Sequence, residues 1–292
     1  MHAAPLAAPT PPLVVPPSVP ETRFDETAAS SDWRQTLRNA DSTGVGSPGI
    51  APGSAPAQPA APRAAVLPPW LMTLGIPAGM SVEPEIAPVA GLTAHASVSV
   101  DNLEAIAELI RLCTRCALHT TARNPVPGEG NPHAELLCVG EAPGATEDEQ
   151  GRPFVGEAGQ LLTKILAAIQ LSRDSVYICN VLKHRPPANR DPLPEEVTAC
   201  RPFLQRQVEL IRPRVILALG RFAAQTLLGT STSLGQLRGH VHQYRGIPVI
   251  ATYHPAALLR NDAWKRPTWD DVKLARSILD ASRAADRRVG DQ

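Results

Sequence analysis

The sequence predicts an α/β fold with a central, mostly parallel sheet and helices on both faces. Compact apolar segments such as AELLCVG and RVILALG have the length and composition of buried strands. Segments with helical periodicity separate them, and this alternation is typical of a parallel sheet. The predicted strands cover 134–140, 175–182, 214–220 and 247–255. The predicted helices cover 159–170, 194–211, 221–229 and about 268–284.

The N-terminal part of the chain differs in composition from the rest. Of 31 prolines, 17 lie in the first 100 residues, among many Ala, Gly and Ser residues. Such a segment buries too little apolar surface to offset the entropy of ordering, so we predict a disordered tail over residues 1–95. Two apolar islands, 31–38 and 68–76, are interpreted as incidental hydrophobes in a tether in preference to partner-binding motifs.

Order is predicted to begin near Ser99. The segment DNLEAIAELIRLC has the periodicity of an amphipathic helix, with Asp101 near its cap. We therefore expect one folded domain over residues 96–285 and a short C-terminal tail over 286–292.

Charge and hydropathy restrict the function classes. The formal net charge is zero, but residues 101–292 alone carry 24 basic and 21 acidic side chains, a balance that neither requires nor excludes nucleic acid. No apolar run reaches the roughly 18–20 residues of a membrane span, and the N-terminus lacks the basic region of a secretory signal. A cytoplasmic protein without a membrane partner is expected, whose five cysteines are thiols or metal ligands.

Polar and glycine-rich motifs follow each predicted strand. Ligands bind at the carboxyl ends of strands in open parallel sheets, so these motifs are expected to meet around one cleft. The motifs are GEAPGATED (140–148) with GRPFVGEAG (151–159), KHRPPANRDP (183–192), Gly220-Arg221 and YHPAALLR (253–260).

The motifs CTRC, GEAPGATEDEQGRPFVGEAGQLL, YICNVLKHRPPANRDPLPEEVTAC and YHPAALLR resemble those of the family 4 uracil-DNA glycosylases, over residues from about 98 to 284. The resemblance implies a three-layer α/β/α fold of the uracil-DNA glycosylase type. It also implies a DNA repair hydrolase that flips uracil out of DNA and cleaves its N-glycosidic bond, leaving an abasic site for base excision repair. Uracil-containing DNA is the implied partner and a [4Fe–4S] cluster the implied cofactor.

Three residues match the family's uracil-binding positions. Phe154 corresponds to the aromatic platform under the extruded base. Asn180 corresponds to the amide that donates to uracil O4 and accepts from N3–H. His254 corresponds to the histidine that hydrogen-bonds the leaving base, an electrostatic catalytic role.

The group that positions the attacking water stays open at this point. Family 1 enzymes use Asp where this chain has Ala142, so another polar residue must act here. Glu141, Glu147 and Asn189 are the catalytic candidates, and the sequence does not rank them. Glu141 is alternatively a residue that orders the loop.

The segment AALLR resembles the loop that approaches the minor groove of DNA. Leu258 or Leu259 would fill the vacated base stack, and Arg260 would contact phosphate. Lys183, Arg185 and Arg190 are further phosphate-contact candidates and could equally be solvated surface residues.

The cluster ligands implied by the resemblance are Cys113, Cys116 and Cys200, with His184 where the family has cysteine. Three explanations compete for His184. It ligates iron, as histidine does in Rieske centres; Cys179 replaces it; or the site holds no cluster or binds zinc through three cysteines and a histidine. Cys138 is interpreted as a buried small hydrophobe.

The same substitution occurs in a related branch that traps uracil-DNA covalently through a histidine in a basic insertion. The corresponding span here, RPPANRDPLPEEVTA, has no histidine, so hydrolysis is favoured. The rival functions are a uracil-DNA binding protein without turnover and a metal-stabilised structural DNA-binding module. We expect a monomer, whose N-terminal tail could bind a replication or repair protein.

Overall fold

The computed structural model describes residues 63–84 and 101–290. Within these residues one eight-stranded sheet runs in the order β1-β2-β7-β8-β6-β4-β5-β3. The strands are β1 (Arg63–Ala64), β2 (Ala78–Val82), β3 (Glu129–Gly130), β4 (Leu136–Gly140), β5 (Tyr177–Asn180), β6 (Val215–Leu219), β7 (Val241–Tyr244) and β8 (Ile247–Thr252).

Helices connect and cover these strands. They are α1 (Pro69–Met72), α2 (Leu103–Arg111), α3 (Ala145–Gln150), α4 (Glu157–Ala168), α5 (Pro194–Ile211), α6 (Arg221–Leu228), α7 (Leu234–Leu237), α8 (Pro255–Arg260) and α9 (Lys265–Gly290). Short 3-10 turns occur at Ala117–Thr120, Arg173–Ser175, Pro187–Asn189 and Asp262–Trp264.

The centre of the sheet is parallel, as predicted. Strands β5, β4, β6 and β8 are neighbours that pair in parallel, in registers such as Gly140 with Asn180 and Leu219 with Thr252. The pairs β1–β2, β7–β8 and β3–β5 are antiparallel and lie toward the two edges. The carboxyl ends of the four central strands therefore lie at one edge of the sheet.

Alternation along the strands produces two cores and three layers. On one face, Val139 and Cys179 pack with side chains of α5 and α6. On the other, Cys138 and Ile178 pack with α4 and α9. Both faces of each central strand are buried, which explains why the strand sequences are apolar without interruption. The predicted α/β/α class is confirmed.

Residues 63–84 correct the predicted extent of the tail. Strand β2 pairs in parallel with β7, and β1 pairs with β2. Leu71 in α1 is fully buried, and Trp70 packs against the same core. The predicted tether over 68–76 is thus part of the fold, because its apolar residues cover a sheet face. The island 31–38, the rest of the predicted tail in 1–62, and residues 85–100 lie outside the described residues.

Other predicted boundaries also change. Asn102, not Asp101, caps α2, because its side chain accepts a hydrogen bond from the Ala105 N–H. Helix α9 continues to Gly290, so residues 286–290 belong to a helix and not to a C-terminal tail. Strand β7 was not predicted, since its sequence VHQY is short and half polar. None of the helices in the described part of the chain is long and apolar enough to cross a membrane.

Candidate active site

A cavity of about 390 Å³ lies at the carboxyl edge of the central strands. Its wall contains six predicted site residues: Glu141, Glu147, Phe154, Asn180, Asn189 and His254. The predicted phosphate contact Arg260 lies at the same cavity. Residues from the ends of three strands, β4, β5 and β8, thus meet in one place, as the strand-end rule predicts, while the Gly220-Arg221 motif after β6 does not line the cavity.

Asn180, the last residue of β5, presents an unsatisfied acceptor to this site. Its side chain is 1% exposed, and Oδ1 is one of two buried side-chain polar atoms in the described residues that lack a hydrogen-bond partner. A buried, unpaired carbonyl oxygen is unfavourable unless a ligand supplies a donor. The backbone of Asn180 is held by Lys183, whose Nζ donates to the Asn180 carbonyl at 2.7 Å and to Gln207 Oε1 at 2.7 Å.

Gly140 forms the wall opposite this amide. A Cβ built on Gly140 would lie 2.4 Å from Asn180 Oδ1 and 2.5 Å from Phe154 Cζ. Any other residue at this position would therefore occupy the space between the amide and the ring. The close approach explains the glycine that ends β4.

Phe154 lies in a tightly held loop. Its backbone adopts φ 52°, a conformation uncommon outside glycine. Arg173 stabilises it by donating from Nη1 to the Phe154 carbonyl at 2.8 Å and from Nη2 to the Pro153 carbonyl at 2.7 Å. The ring is buried and faces the His254 ring at a centroid distance of 5.4 Å. The ring is thus preorganised as one face of a slot.

Glu147 orders the same loop. Its Oε1 accepts hydrogen bonds from the Val155 N–H at 2.8 Å and the Gly156 N–H at 2.9 Å. The sequence left Glu141 as the loop-ordering alternative, but the structure gives this task to Glu147. Oε1 of Glu147 is thus committed to the loop backbone.

His254 caps helix α8. The Ala256 N–H donates to Nδ1 at 3.2 Å, so the proton of a neutral imidazole resides on Nε2. Burial lowers the pKa of His254 to about 4, with Arg260 acting in the same direction and Glu147 opposing it. The ring is therefore a neutral donor at physiological pH. Gly220 makes room for it, because a Cβ there would lie 3.0 Å from the His254 Cβ.

Glu141 is the carboxylate in the cavity with no hydrogen-bond or ion-pair partner for its side chain among the described residues. Burial, together with the charge of Asp191, raises the pKa of Glu141 to about 7, against the opposing charge of Arg221. Asp191 and Arg221 form an ion pair of 3.0 Å beside it. A carboxyl group that titrates near neutral pH suits general-base chemistry.

The polar residues after β5 separate into different roles. Asn189 is exposed with φ 54°, it lines the cavity, and its Oδ1 accepts a hydrogen bond from Arg185 Nε at 2.7 Å. Arg190 is paired with Glu196. Lys183 is fully buried, so its interpretation as a phosphate contact is wrong.

Helix α8 distinguishes the two leucines. Leu258 is 1% exposed and faces the core, so its DNA-binding prediction is wrong for this conformation. Leu259 is 48% exposed and Arg260 is also exposed, so these two remain available to DNA. Adjacent positions on a helix point about 100° apart, so the two leucines face different surroundings.

Three cysteines lie near one another beside α5. Burial raises the pKa of Cys113, Cys116 and Cys200, to about 12 for Cys200, which the charges of the other two also raise. The backbone N–H groups of Arg115, Leu118 and Lys183 act in the opposite direction, one on each thiol. Backbone donors of this kind are typical of iron–sulfur ligands.

His184 lies on the segment that supplies one of these donors. It is 5% exposed, and burial lowers its pKa, with His119 acting in the same direction and Asp148 opposing it. Among the described residues, no group of three or more His, Cys, Asp or Glu side chains is gathered closely enough to hold a metal ion. The donor chemistry of three thiols and one imidazole fits an iron–sulfur cluster.

The two remaining cysteines are buried in the sheet. Cys179 interacts electrostatically with Lys183. Cys138 lies on the neighbouring strand β4, close enough to Cys179 for the two thiols to interact. The description of Cys138 as a small buried hydrophobe is confirmed, and burial raises its pKa to about 12.

Two cavity features were missed from sequence. Asp191 and Gly140 line or shape the site, yet each stands in a motif already singled out. The Gly-Glu turn after β4 and the RDP tripeptide after β5 indicate a site at these strand ends. Neither motif indicates which atoms face the cavity.

Comparisons with known proteins agree with the geometry. Residues 127–273 match the model of the uracil DNA glycosylase superfamily. The chain is 51% identical to a type-4 uracil-DNA glycosylase of Archaeoglobus fulgidus over 182 residues, which cover 60% of this chain and 92% of that protein. It is 45% identical to a type-4 uracil-DNA glycosylase of Thermotoga maritima over 181 residues, covering 61% and 94%.

A type-5 uracil-DNA glycosylase of Pyrobaculum aerophilum is 38% identical over 152 residues, covering 46% of this chain and 66% of that protein. The similarity is therefore greater to the type-4 relatives, in agreement with the family predicted from the motifs. The chain belongs to the uracil-DNA glycosylase superfamily.

Proposed function

We propose that the protein is a uracil-DNA glycosylase, which extrudes uracil from DNA and hydrolyses its N-glycosidic bond. The observation that carries the proposal is the unpartnered Oδ1 of Asn180 in a slot bounded by Phe154 and Gly140. An extruded base is flat and needs both a stacking face and hydrogen bonds along one edge. The slot offers both within a family whose relatives carry this activity in their names.

Base selection follows from the amide. Asn180 Oδ1 accepts from uracil N3–H, and Nδ2 donates to O4. Cytosine presents an acceptor at N3 and a donor at position 4, so both hydrogen bonds would be reversed and the buried amide left unpaired. Lys183 supports the discrimination by fixing the Asn180 backbone. A site built on paired polar groups rejects the wrong partner strongly.

Bond cleavage places negative charge on the departing uracil. His254 is a neutral donor whose Nε2–H stabilises that charge, as a preorganised group in a low-dielectric site. Glu141 positions the attacking water, because its carboxylate is unpaired and has a pKa of about 7. The amide of Asn189 assists at the same cavity. Glu147 acts indirectly by holding the Phe154 loop.

DNA reaches the cavity along helix α8. Leu259 fills the space that the extruded nucleotide leaves, and Arg260 contacts phosphate beside it. Both residues follow His254 closely in sequence, so base extrusion and leaving-group stabilisation are mechanically linked. We place the enzyme with the nucleoid in the cytoplasm because its substrate is DNA, and the monomeric state stays a prediction.

Cys113, Cys116, Cys200 and His184 would hold a [4Fe–4S] cluster. Support comes from the mutual proximity of the three thiols, their backbone N–H donors and the buried neutral imidazole. When bound, the cluster would cross-link the turn after α2, the loop after β5 and helix α5. Cys179 is less suited, since Asn180 and Cys179 face opposite sides of β5 and Cys179 packs in the sheet core.

The test is excision from an oligonucleotide that contains a single uracil, with the purified, iron-loaded, full-length protein. We expect free uracil and an alkali-labile abasic site, with turnover. A protein–DNA adduct that resists denaturation, or equal binding of uracil-free DNA with uracil left intact, would contradict the proposal. Two single variants, Asn180→Ala and His254→Ala, should each retain DNA binding and lose most of the turnover.

A further inference from the structure

The segment that carries the DNA-facing residues is held at both ends by one stacked column of side chains. Tyr253 precedes His254, and Trp264 ends the turn that follows α8. Their rings stack with a centroid distance of 4.8 Å and an interplanar angle of 3°. The two ends of the segment 254–263 are therefore brought together directly.

The column is anchored in the core. The Arg238 guanidinium lies 4.5 Å from the Tyr253 ring centroid. Arg238 Nε donates to Asp271 Oδ2 at 2.6 Å, and the Thr252 hydroxyl donates to the same oxygen at 2.8 Å. Asp271 lies in α9 with its side chain 4% exposed. Stacking, a cation–π contact and a buried ion pair thus form one continuous chain from α9 to Trp264.

We propose that the Arg238–Tyr253–Trp264 column is a positioning element that holds the segment 254–263 in the shape that enters duplex DNA. The proposal rests on the proposed function. Entering a duplex requires unstacking and unpairing, and a segment that had to order itself at that moment would add its own entropic cost. A single-stranded substrate needs less opening. The column is therefore a determinant of activity on double-stranded relative to single-stranded DNA.

Trp264→Leu tests this, because leucine keeps an apolar side chain but removes the flat face. We expect the ratio of kcat/KM on double-stranded to that on single-stranded uracil substrate to fall about tenfold. Trp264→Phe should restore most of the ratio. Trp269→Ala is the matched control, since Trp269 is a partly exposed tryptophan on α9 outside the column, and it should leave the ratio unchanged.

A direct readout is the fluorescence of 2-aminopurine placed beside the uracil, which reports unstacking of the duplex. Trp264→Leu should slow this signal while the melting temperature stays close to that of Trp264→Phe. Equal losses on both substrates, an unchanged ratio, or the same change in Trp269→Ala would overturn the inference. A wild-type protein that excises uracil from neither substrate would instead refute the proposed function itself.

Discussion

The uracil cavity and the cysteine region are organised in different ways. Cavity residues lie at the ends of adjacent parallel strands and are fixed by hydrogen bonds to Lys183, Arg173 and Glu147. The predicted cluster ligands lie on the turn after α2, the loop after β5 and helix α5, so they come from three separate segments and not from strand ends. The sheet thus determines the position of the first set directly, and that of the second only through the connecting segments.

This contrast suggests a division of labour. The groups that line the cavity are held by hydrogen bonds within the protein, whereas the proposed cluster would join the separate segments of the cysteine region. Changes in the cavity should therefore affect chemistry, and changes at the cysteines should affect stability first.

Gly140→Ala should produce the largest loss. The added methyl group would meet Asn180 Oδ1 and the Phe154 ring, so uracil could not enter without displacing them. We expect kcat/KM to fall by roughly a hundredfold or more. Gly235→Ala is the control, because a Cβ there meets nothing within 4 Å and should leave activity unchanged. Equal single-turnover excision rates of Gly140→Ala and Gly235→Ala would contradict the claim that the space beside Gly140 must stay empty for uracil to enter.

His254→Ala should lower kcat by roughly a hundredfold to a thousandfold, as expected for the loss of a preorganised donor. The low pKa of His254 means that its protonation does not change between about pH 5.5 and 8. Wild type and variant should therefore have rate profiles of the same shape in that range. If the wild-type pH–rate profile had a limb near pH 6.5 that is absent in His254→Ala, the ring would titrate during catalysis, contrary to this prediction.

Glu141 should set the acidic limb of the pH–rate profile. If its carboxylate positions water, the rate rises with pH and reaches half its maximum near pH 7. Asp191→Asn removes a like charge and should move this limb to lower pH; Arg221→Gln removes an opposite charge and should move it to higher pH. Glu141→Gln should abolish the limb and reduce the plateau. Shifts of the same sign in both neighbours would contradict the assignment.

Loss of the cluster should act on stability. Cys200→Ser and His184→Ala are expected to reduce bound iron and to lower Tm by roughly 5–10 °C, because metal binding is coupled to folding. His184→Cys supplies a fourth thiolate and should retain iron, and Cys179→Ala should retain it as well. Loss of iron in Cys179→Ala with normal iron in His184→Ala would assign the fourth ligand to Cys179.

The smallest effect concerns the free energy of unfolding. The native pKa of Glu141 is raised above its unfolded value, so the native state disfavours the ionised form, and stability falls as pH rises from about 4.5 to 7. Glu141→Gln removes this cost and should stabilise the protein by about 1–2 kcal/mol above pH 7, after allowance for solvent screening. The difference should vanish below about pH 4.5. Denaturant unfolding at pH 8 and pH 4 measures it.

Much of this architecture followed from the sequence for a simple physical reason. Buried parallel strands are apolar without interruption, and their polar ends must lie at one edge. That reasoning placed Glu141, Phe154, Asn180 and His254 in a common cleft. The short strands β1 and β2 were missed because prolines surround them and they acquire order only by pairing with β7.

Other features depend on side-chain direction, which spacing alone does not give. Leu258 and Leu259 are indistinguishable in sequence, and the rotation of α8 decides which one is buried. The sequence does not rank Glu141 and Glu147, and the structure separates them because the loop at Val155 turns its N–H groups toward Glu147. Lys183 resembles a surface cation, yet it is buried to hold Asn180.

Single-turnover uracil excision by Asn180→Asp, measured beside Asn131→Asp, shows whether the Asn180 amide recognises uracil. Aspartate preserves the shape of residue 180 but cannot donate to uracil O4. Asn131 lies in the turn before β4, at the opposite edge of the sheet from the cavity. We predict a loss of at least about a hundredfold for Asn180→Asp, at unchanged iron content, and wild-type excision for Asn131→Asp. Near-wild-type excision by Asn180→Asp would contradict the claim that this amide reads uracil.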